Sequence, residues 1–158
     1  MLTLWFHPKG PLPRGWTTWA VRILTRSQIT HVAPEILGCQ LNLTMKPFAC
    51  KAYWAQKAAL HRLWPPLYGI RLEGSSSIEQ NLGMLDLVLT GELDGAIPNL
   101  LRYLGRKLGL PIRRSLNCVS TTNVALVMAG LPHLQGNTPS EIASNAAAYG
   151  TRVAPCSN

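Results

Sequence analysis

The sequence predicts an α+β domain, and three observations carry the prediction. Short alternating or aromatic segments, bounded by glycine and proline, crowd the N-terminal half. Strong helix-cap signatures stand in the C-terminal half. A length of 158 residues suffices for one hydrophobic core and is short for two, so residues 1–158 are read as one domain.

Met1 to Phe6 alternates and contains aromatics, the pattern of a short strand. His7 to Gly15 holds three prolines and two glycines and reads as a loop. Trp16 to Thr25 places apolar residues at 16, 19, 20, 23 and 24, which is helical spacing. Ile29 to Ile36 is a strand, Leu37-Gly38 a tight turn, and Cys39 to Met45 alternates so as to pair back as a hairpin. Pro34 predicts an edge or a bulge in the first of these strands, because it has no N–H to give. Residues 46 to 65 are ambiguous, with room for a helical turn or two over Tyr53 to Leu63. Leu67 to Leu72 is a further strand.

Ser76-x-x-Glu79 is a capping box that opens a helix to about Leu89. Pro98, in a first turn, starts another through Leu108. Asn117 caps a helix that runs toward Gly130, with Pro132 preventing continuation. Thr138-Pro139-Ser140-Glu141 combines a cap residue, a proline at the first position and a glutamate at the third; its helix ends near Tyr149-Gly150. Thr151 to Asn158 is read as a last extended piece.

The net charge of +8 and pI near 9.8 imply attraction to something anionic, such as nucleic acid, an acidic membrane surface or acidic wall polymers. The basic residues are dispersed and no groove-reading or RNA-stacking motif accompanies them, so specific nucleic-acid recognition is not expected. The first residues lack a secretory pattern and no apolar run is long enough for a bilayer, which predicts a cytoplasmic or virion-associated protein with no membrane span. Cys39, Cys50, Cys118 and Cys156 show no C-x-x-C spacing. Neither a metal nor another cofactor is expected, and the default is reduced thiols.

Cys118 is the residue on which a function turns. It opens the helix capped by Asn117, against the positive end of the helix dipole and close to Arg113 and Arg114. Both features favour thiolate, the nucleophilic form. A nucleophilic cysteine needs a base and an orienting group, and His31, on the Ile29 to Ile36 strand, is the candidate base. With Leu37-Gly38 as the turn, facing residues sum to 75, which sets Thr44 opposite His31, Asn42 opposite Ala33 and Gln40 opposite Glu35. Asn42, Thr44 and Gln40 thus share His31's face, and Asn42 suits it best because its amide oxygen can accept a ring N–H. Glu35 is read as an edge or solvent residue. His7, His61 and His133 are read as surface residues, and Trp5, Trp16 and Trp19 as core or as walls of the cleft.

Ile23-Leu24-Thr25-Arg26-Ser27-Gln28-Ile29-Thr30-His31-Val32-Ala33 resembles the entry segment of circularly permuted NlpC-like papain-fold proteins, the superfamily of lecithin-retinol-acyltransferase-like enzymes and small bacterial and phage members. The order His31 before Cys118 is similar to that group, as are Asn117-Cys118 opening a helix that ends in Ala129-Gly130, and Thr138-Pro139-Ser140-Glu141-Ile142-Ala143 after it. The resemblance implies a small antiparallel sheet packed against a helical half that carries the nucleophile. It implies Cys118 as nucleophile, His31 as base and a polar third member, Asn42, Thr44 or Gln40, on the following strand. Where the family often has Glu or His at that third place the chain has neutral side chains, and Ser120 stands where an acid is common.

The expected activity is that of a thiol hydrolase or acyltransferase acting on an amide, ester or thioester, with Arg113, Arg114 and Trp16 as substrate contacts. The expected substrates are acidic peptides, cell-wall peptides or lipids. The alternative is a papain-fold protein without chemistry that binds or builds, such as a small virion component or an inhibitor of a host protein.

Overall fold

The computed structural model describes residues 1–8, 23, 26–44, 48–74, 93–94, 96–113 and 117–155. The expected helices over 16–25 (Ile23 apart) and 76–89 lie outside these residues, as do Trp16, Arg114, Cys156 and the side chain of Thr44. The described chain is α+β, as the sequence predicts. Its strands are β1 (Leu2–His7), β2 (His31–Ile36), β3 (Cys39–Thr44), β4 (Ala49–Gln56), β5 (Tyr68–Leu72), β6 (Leu93–Asp94) and β7 (Thr151–Val153). Its helices are α1 (Lys57–Leu63), α2 (Ala96–Lys107), α3 (Cys118–Met128) and α4 (Pro139–Ala146).

The strands form one sheet in the order β6-β4-β3-β2-β1-β5-β7, with antiparallel neighbours throughout. This is larger than the small sheet expected, because β5, β6 and β7 extend both flanks. All six residues of β1 are buried, as a strand between two neighbours and under two covered faces requires.

Facing residues of a ladder share a side of the sheet, so the register sorts the side chains. Leu4 with Pro34 and Phe6 with Val32 point to one face. There they join Ile70, Leu72, Leu126, Ile142 and Ala146 in the main core, under α3 and α4. Thr3 with Glu35, Trp5 with Ala33 and His7 with His31 point to the other face. That face is covered by α1, whose His61 ring stands edge-on to Trp5 at 4.6 Å and whose Lys57 pairs with Glu35 at 2.9 Å.

The hairpin forms where predicted, with Glu35 facing Gln40 and Ile36 facing Cys39. Both turn residues are left-handed, Leu37 at φ 51° and Gly38 at φ 80°, the geometry that joins two twisted strands by a two-residue loop. Glycine adopts it freely; leucine pays for its Cβ. Residues 49–56, ambiguous in sequence, are a strand because β3 needs a partner on its outer side: β4 runs opposite it from Cys39–Gln56 to Thr44–Lys51. The helix begins only at Lys57, whose N–H donates to Gly38 O at 2.8 Å.

The β2–β3 ladder stops after two residue pairs, next to Pro34, while β2 continues beside β1 to His31. In a two-residue hairpin Ile36 and Cys39 exchange both hydrogen bonds, and alternate residues, Pro34 and Val32, are the next to face β3 with their N–H groups. Pro34 has none, and beyond it the strands part. Pro34 therefore sits inside the sheet and not at its edge, and interrupts one ladder as a bulge would.

The caps predicted at Asn117 and Thr138 form, and the Ser76 box lies outside the described residues. Asn117 Oδ1 accepts from the N–H of Val119 at 2.9 Å and of Ser120 at 3.3 Å, and the Ser120 hydroxyl accepts from Asn117 N–H at 2.7 Å. Thr138 and Glu141 make the same reciprocal box at α4. At the far end of α3, Leu131 N–H reaches Leu126 O at 2.9 Å over Gly130 at φ 71°, the left-handed stop expected of that glycine.

Replacing Leu37 by Asn relieves the left-handed leucine and removes an exposed apolar side chain. Urea denaturation is expected to show a gain of about 1 kcal/mol with an unchanged m-value.

Candidate functional site

His31 heads β2 and is buried, on the α1 face. Its Nε2–H donates to Asn42 Oδ1 at 2.9 Å, a contact that runs diagonally across the parted strands. Of the polar residues that shared His31's face in the sequence, Asn42 holds it and Gln40 does not, while the Thr44 side chain lies outside the described residues. With Nε2 carrying the proton, Nδ1 keeps the lone pair. Gln40 turns elsewhere: its Nε2 donates to His61 Nε2 at 2.8 Å, and its buried Oε1 has no partner.

Cys118 stands at the first position of α3, partly buried and packed against the small cluster of Leu43 and Cys50. Three backbone N–H groups face its sulfur: those of Val32, Cys118 and Val119. The Val32 N–H is the one released where the β2–β3 ladder ends, and its peptide follows His31 directly. The sulfur comes to this peptide from the α3 side of the sheet, whereas the imidazole leaves the strand on the α1 side. No hydrogen bond joins the two side chains among the described residues. The sequence held a sign of this: Val32 and Ile36 are the apolar positions of β2 and belong under the apolar helix, which leaves His31, Ala33 and Glu35 facing away.

Electrostatics reverse one expectation. Burial pushes the Cys118 thiol above its ordinary 9.0, against the opposing pull of the three N–H groups. Arg113 is exposed, and desolvation outweighs the helix start, so the resting group is thiol and not thiolate. Burial likewise lowers His31 to about 4, with the Asn42 bond pulling the other way. Both members of the pair are neutral at pH 7.

Two histidines read as surface residues belong to this neighbourhood. His7, buried at the end of β1, lies 5.9 Å from His31 and 6.1 Å from His61, ring centre to ring centre. Its Nδ1 bonds Trp64 O at 3.0 Å, while its buried Nε2 has no partner. Burial and the neighbouring His31 hold His7 at about 3. The missed signal was parity, since His7 continues the Thr3-Trp5 side of a strand that pairs with His31. His61 is half-buried between Trp5 and Gln40, and His133 is exposed as expected. Glu35 is not a solvent residue: it accepts from Trp5 Nε1 and pairs with Lys57, fastening α1 to the sheet. Trp5 is a buried wall of this histidine cluster.

Among the described residues no group of His, Cys, Asp or Glu is arranged to hold a metal ion, and no helix is long and apolar enough to cross a membrane. Comparison with family models, with curated proteins and with solved structures gives no match.

The buried histidines tie stability to pH. Unfolded histidine titrates near 6.5, while folded His7 and His31 titrate near 3 and 4, so between these limits the unfolded chain binds more protons. Their contribution is complete above pH 6.5 and is lost as pH falls toward 4. Urea denaturation from pH 7 to 4 is expected to show stability falling by about 1 to 3 kcal/mol per pH unit, and His7→Phe is expected to flatten that slope by about one proton. An unchanged slope in the variant refutes the assignment.

Proposed function

We propose that this chain is a permuted papain-like thiol acyl-transfer protein, with Cys118 as nucleophile, His31 as base and Asn42 as the group that orients the base. The observation that carries this reading is the buried His31–Asn42 pair at 2.9 Å, held one peptide away from the Cys118 sulfur. Asn42 fixes the tautomer in which Nδ1 can accept a proton, which is the task of a third member. The sequence order and the capped helix start support the same reading.

Because the resting pair is neutral, the proton moves as the bond forms. In this reading His31 must turn from the α1 side toward Cys118 before Nδ1 can meet the thiol, because the two side chains leave β2 toward opposite faces. Nδ1 takes the thiol proton while sulfur attacks the carbonyl carbon. The Cys118 N–H, which the Asn117 cap leaves over, faces the developing oxyanion. Imidazolium then returns the proton to the leaving amine, alcohol or thiol, and a thioester on Cys118 remains. Water or another acceptor, deprotonated by His31, releases the acyl group. The net positive charge suits an acidic peptide, a wall peptide or an anionic lipid as acyl donor.

A second reading, a protein of the same fold that binds without chemistry, is favoured by the placement of sulfur and imidazole toward opposite faces of β2 and by the raised thiol. Acetylation by p-nitrophenyl acetate at pH 7, mapped by mass spectrometry, separates the two. Acyl transfer predicts an adduct on Cys118 that is absent in Cys118→Ala and forms about 100-fold more slowly in His31→Gln. Equal rates in His31→Gln and the parent protein establish the second reading. In either case alkylation of Cys118 by iodoacetamide is expected to inflect above pH 9, since no resting ion pair lowers the thiol.

A further inference from the structure

Cys50 and Cys118 meet at the end of the sheet where β2 and β3 part. On β4, Cys50 has the parity of Ala52, which faces Leu43, so its side chain points to the α3 side of the sheet. Cys118 opens α3 on that side and packs against the cluster of Leu43 and Cys50. A chain of hydrogen bonds closes the same corner. The Cys50 thiol donates to Asp94 O at 3.3 Å, and Asn99 Nδ2 donates to the same oxygen at 2.8 Å. Asn99 Oδ1 in turn accepts from Asn117 Nδ2 at 3.3 Å, and Asn117 is the residue before Cys118. Burial, then the neighbouring Cys118 sulfur, then Asp94 push the Cys50 thiol up to about 11.

The two thiols differ in what they offer. Cys118 is partly exposed, and the N–H groups of Val32, Cys118 and Val119 face its sulfur. Such donors support the negative charge that sulfur carries as it attacks an oxidant. Cys50 is only 2 % exposed, so an oxidant from solution meets Cys118 first. Cys39 faces Ile36 and Gln56 at the opposite end of β3, away from this corner. The Cys50 bond to Asp94 O is expendable, because Asn99 still serves that oxygen.

We propose that Cys50 and Cys118 are a redox pair, which hydrogen peroxide converts to a disulfide that ties β4 to the start of α3. In the first step the Cys118 sulfur attacks one peroxide oxygen. An S–O bond forms, the O–O bond breaks, and the second oxygen leaves as water with the thiol proton, giving a sulfenic acid. The Cys50 sulfur then attacks the Cys118 sulfur. An S–S bond forms, the S–O bond breaks, and hydroxide leaves with the Cys50 proton as a second water. Two electrons pass from the two sulfurs to one peroxide. The raised thiols make the first step slow, which fits a modification site and not a peroxidase. The pair needs neither histidine nor acyl donor, so the inference stands apart from acyl transfer, although the disulfide withdraws the same sulfur.

The test treats the folded protein with hydrogen peroxide, alkylates the remaining thiols with iodoacetamide in urea, and maps unreduced peptides by mass spectrometry. The expected product is a Cys50–Cys118 link within one chain, reversed by dithiothreitol and formed equally in Cys39→Ser. In Cys50→Ala the link is absent, and Cys118 sulfenic acid trapped by dimedone rises about 10-fold over the parent. The parent protein decides the question by itself should Cys50→Ala fail to fold. Recovery of Cys50 as a free thiol at every peroxide concentration, whatever the state of Cys118, overturns the pair. So does a link to any other cysteine or between chains. Acetylation of the reduced protein reads acyl transfer separately, so either proposal can fail alone.

Discussion

A missing hydrogen-bond donor organises the site. Pro34 has nothing to offer β3, so the β2–β3 ladder ends beside it after Glu35 and Gln40. The strand end beyond it parts from β3, and two contacts use the gap: the Val32 N–H turns to the Cys118 sulfur, and His31 reaches across to Asn42. A strand paired on both sides to its end would spend the Val32 N–H on β3 and close the space. The turn at Leu37-Gly38 pins the other end of the hairpin, so the opening is confined to the end where His31, Asn42 and Cys118 stand.

The two faces of the sheet do different work. Under α3 and α4 the side chains are apolar and close-packed, with the Cys118 sulfur set against them at the start of α3. Under α1 the buried set is Trp5, His7, His31, Gln40 and Asn42, a polar layer with two unsatisfied atoms, His7 Nε2 and Gln40 Oε1. Buried polar groups left without partners are costly, so this layer subtracts from stability. The Lys57–Glu35–Trp5 contacts hold α1 over it.

Legibility in the sequence followed the range of the interaction. The caps at Asn117 and Thr138, the Gly130 stop and the Leu37-Gly38 turn are encoded within a few residues, and all were read correctly. The His31–Asn42 pair was legible one step further out, because strand parity and a two-residue turn fix which side chains share a face. What escaped reading depended on elements distant in sequence. Nothing local tells that β1 lies beside β2, so His7 looked like a loop residue and not a neighbour of His31. Residues 49–56 carry a weak pattern of their own and are a strand because β3 requires one. The protonation of Cys118 was misjudged because dipole and arginines are visible in sequence, whereas the desolvation that outweighs them is not. Cys50 was one scattered thiol among four until β6 and the start of α3 closed around it.

The central position of β1 has a consequence for how the chain reaches this state. Its two partners come much later in sequence: Leu4 faces Pro34 on one side and Ile70 on the other. On a ribosome, β1 emerges before both partners and keeps one side unpaired until β5 has emerged. Such long-range closure slows folding and leaves a sticky edge available to other nascent chains. The strand order itself thus ties completion of the sheet to contacts that close late.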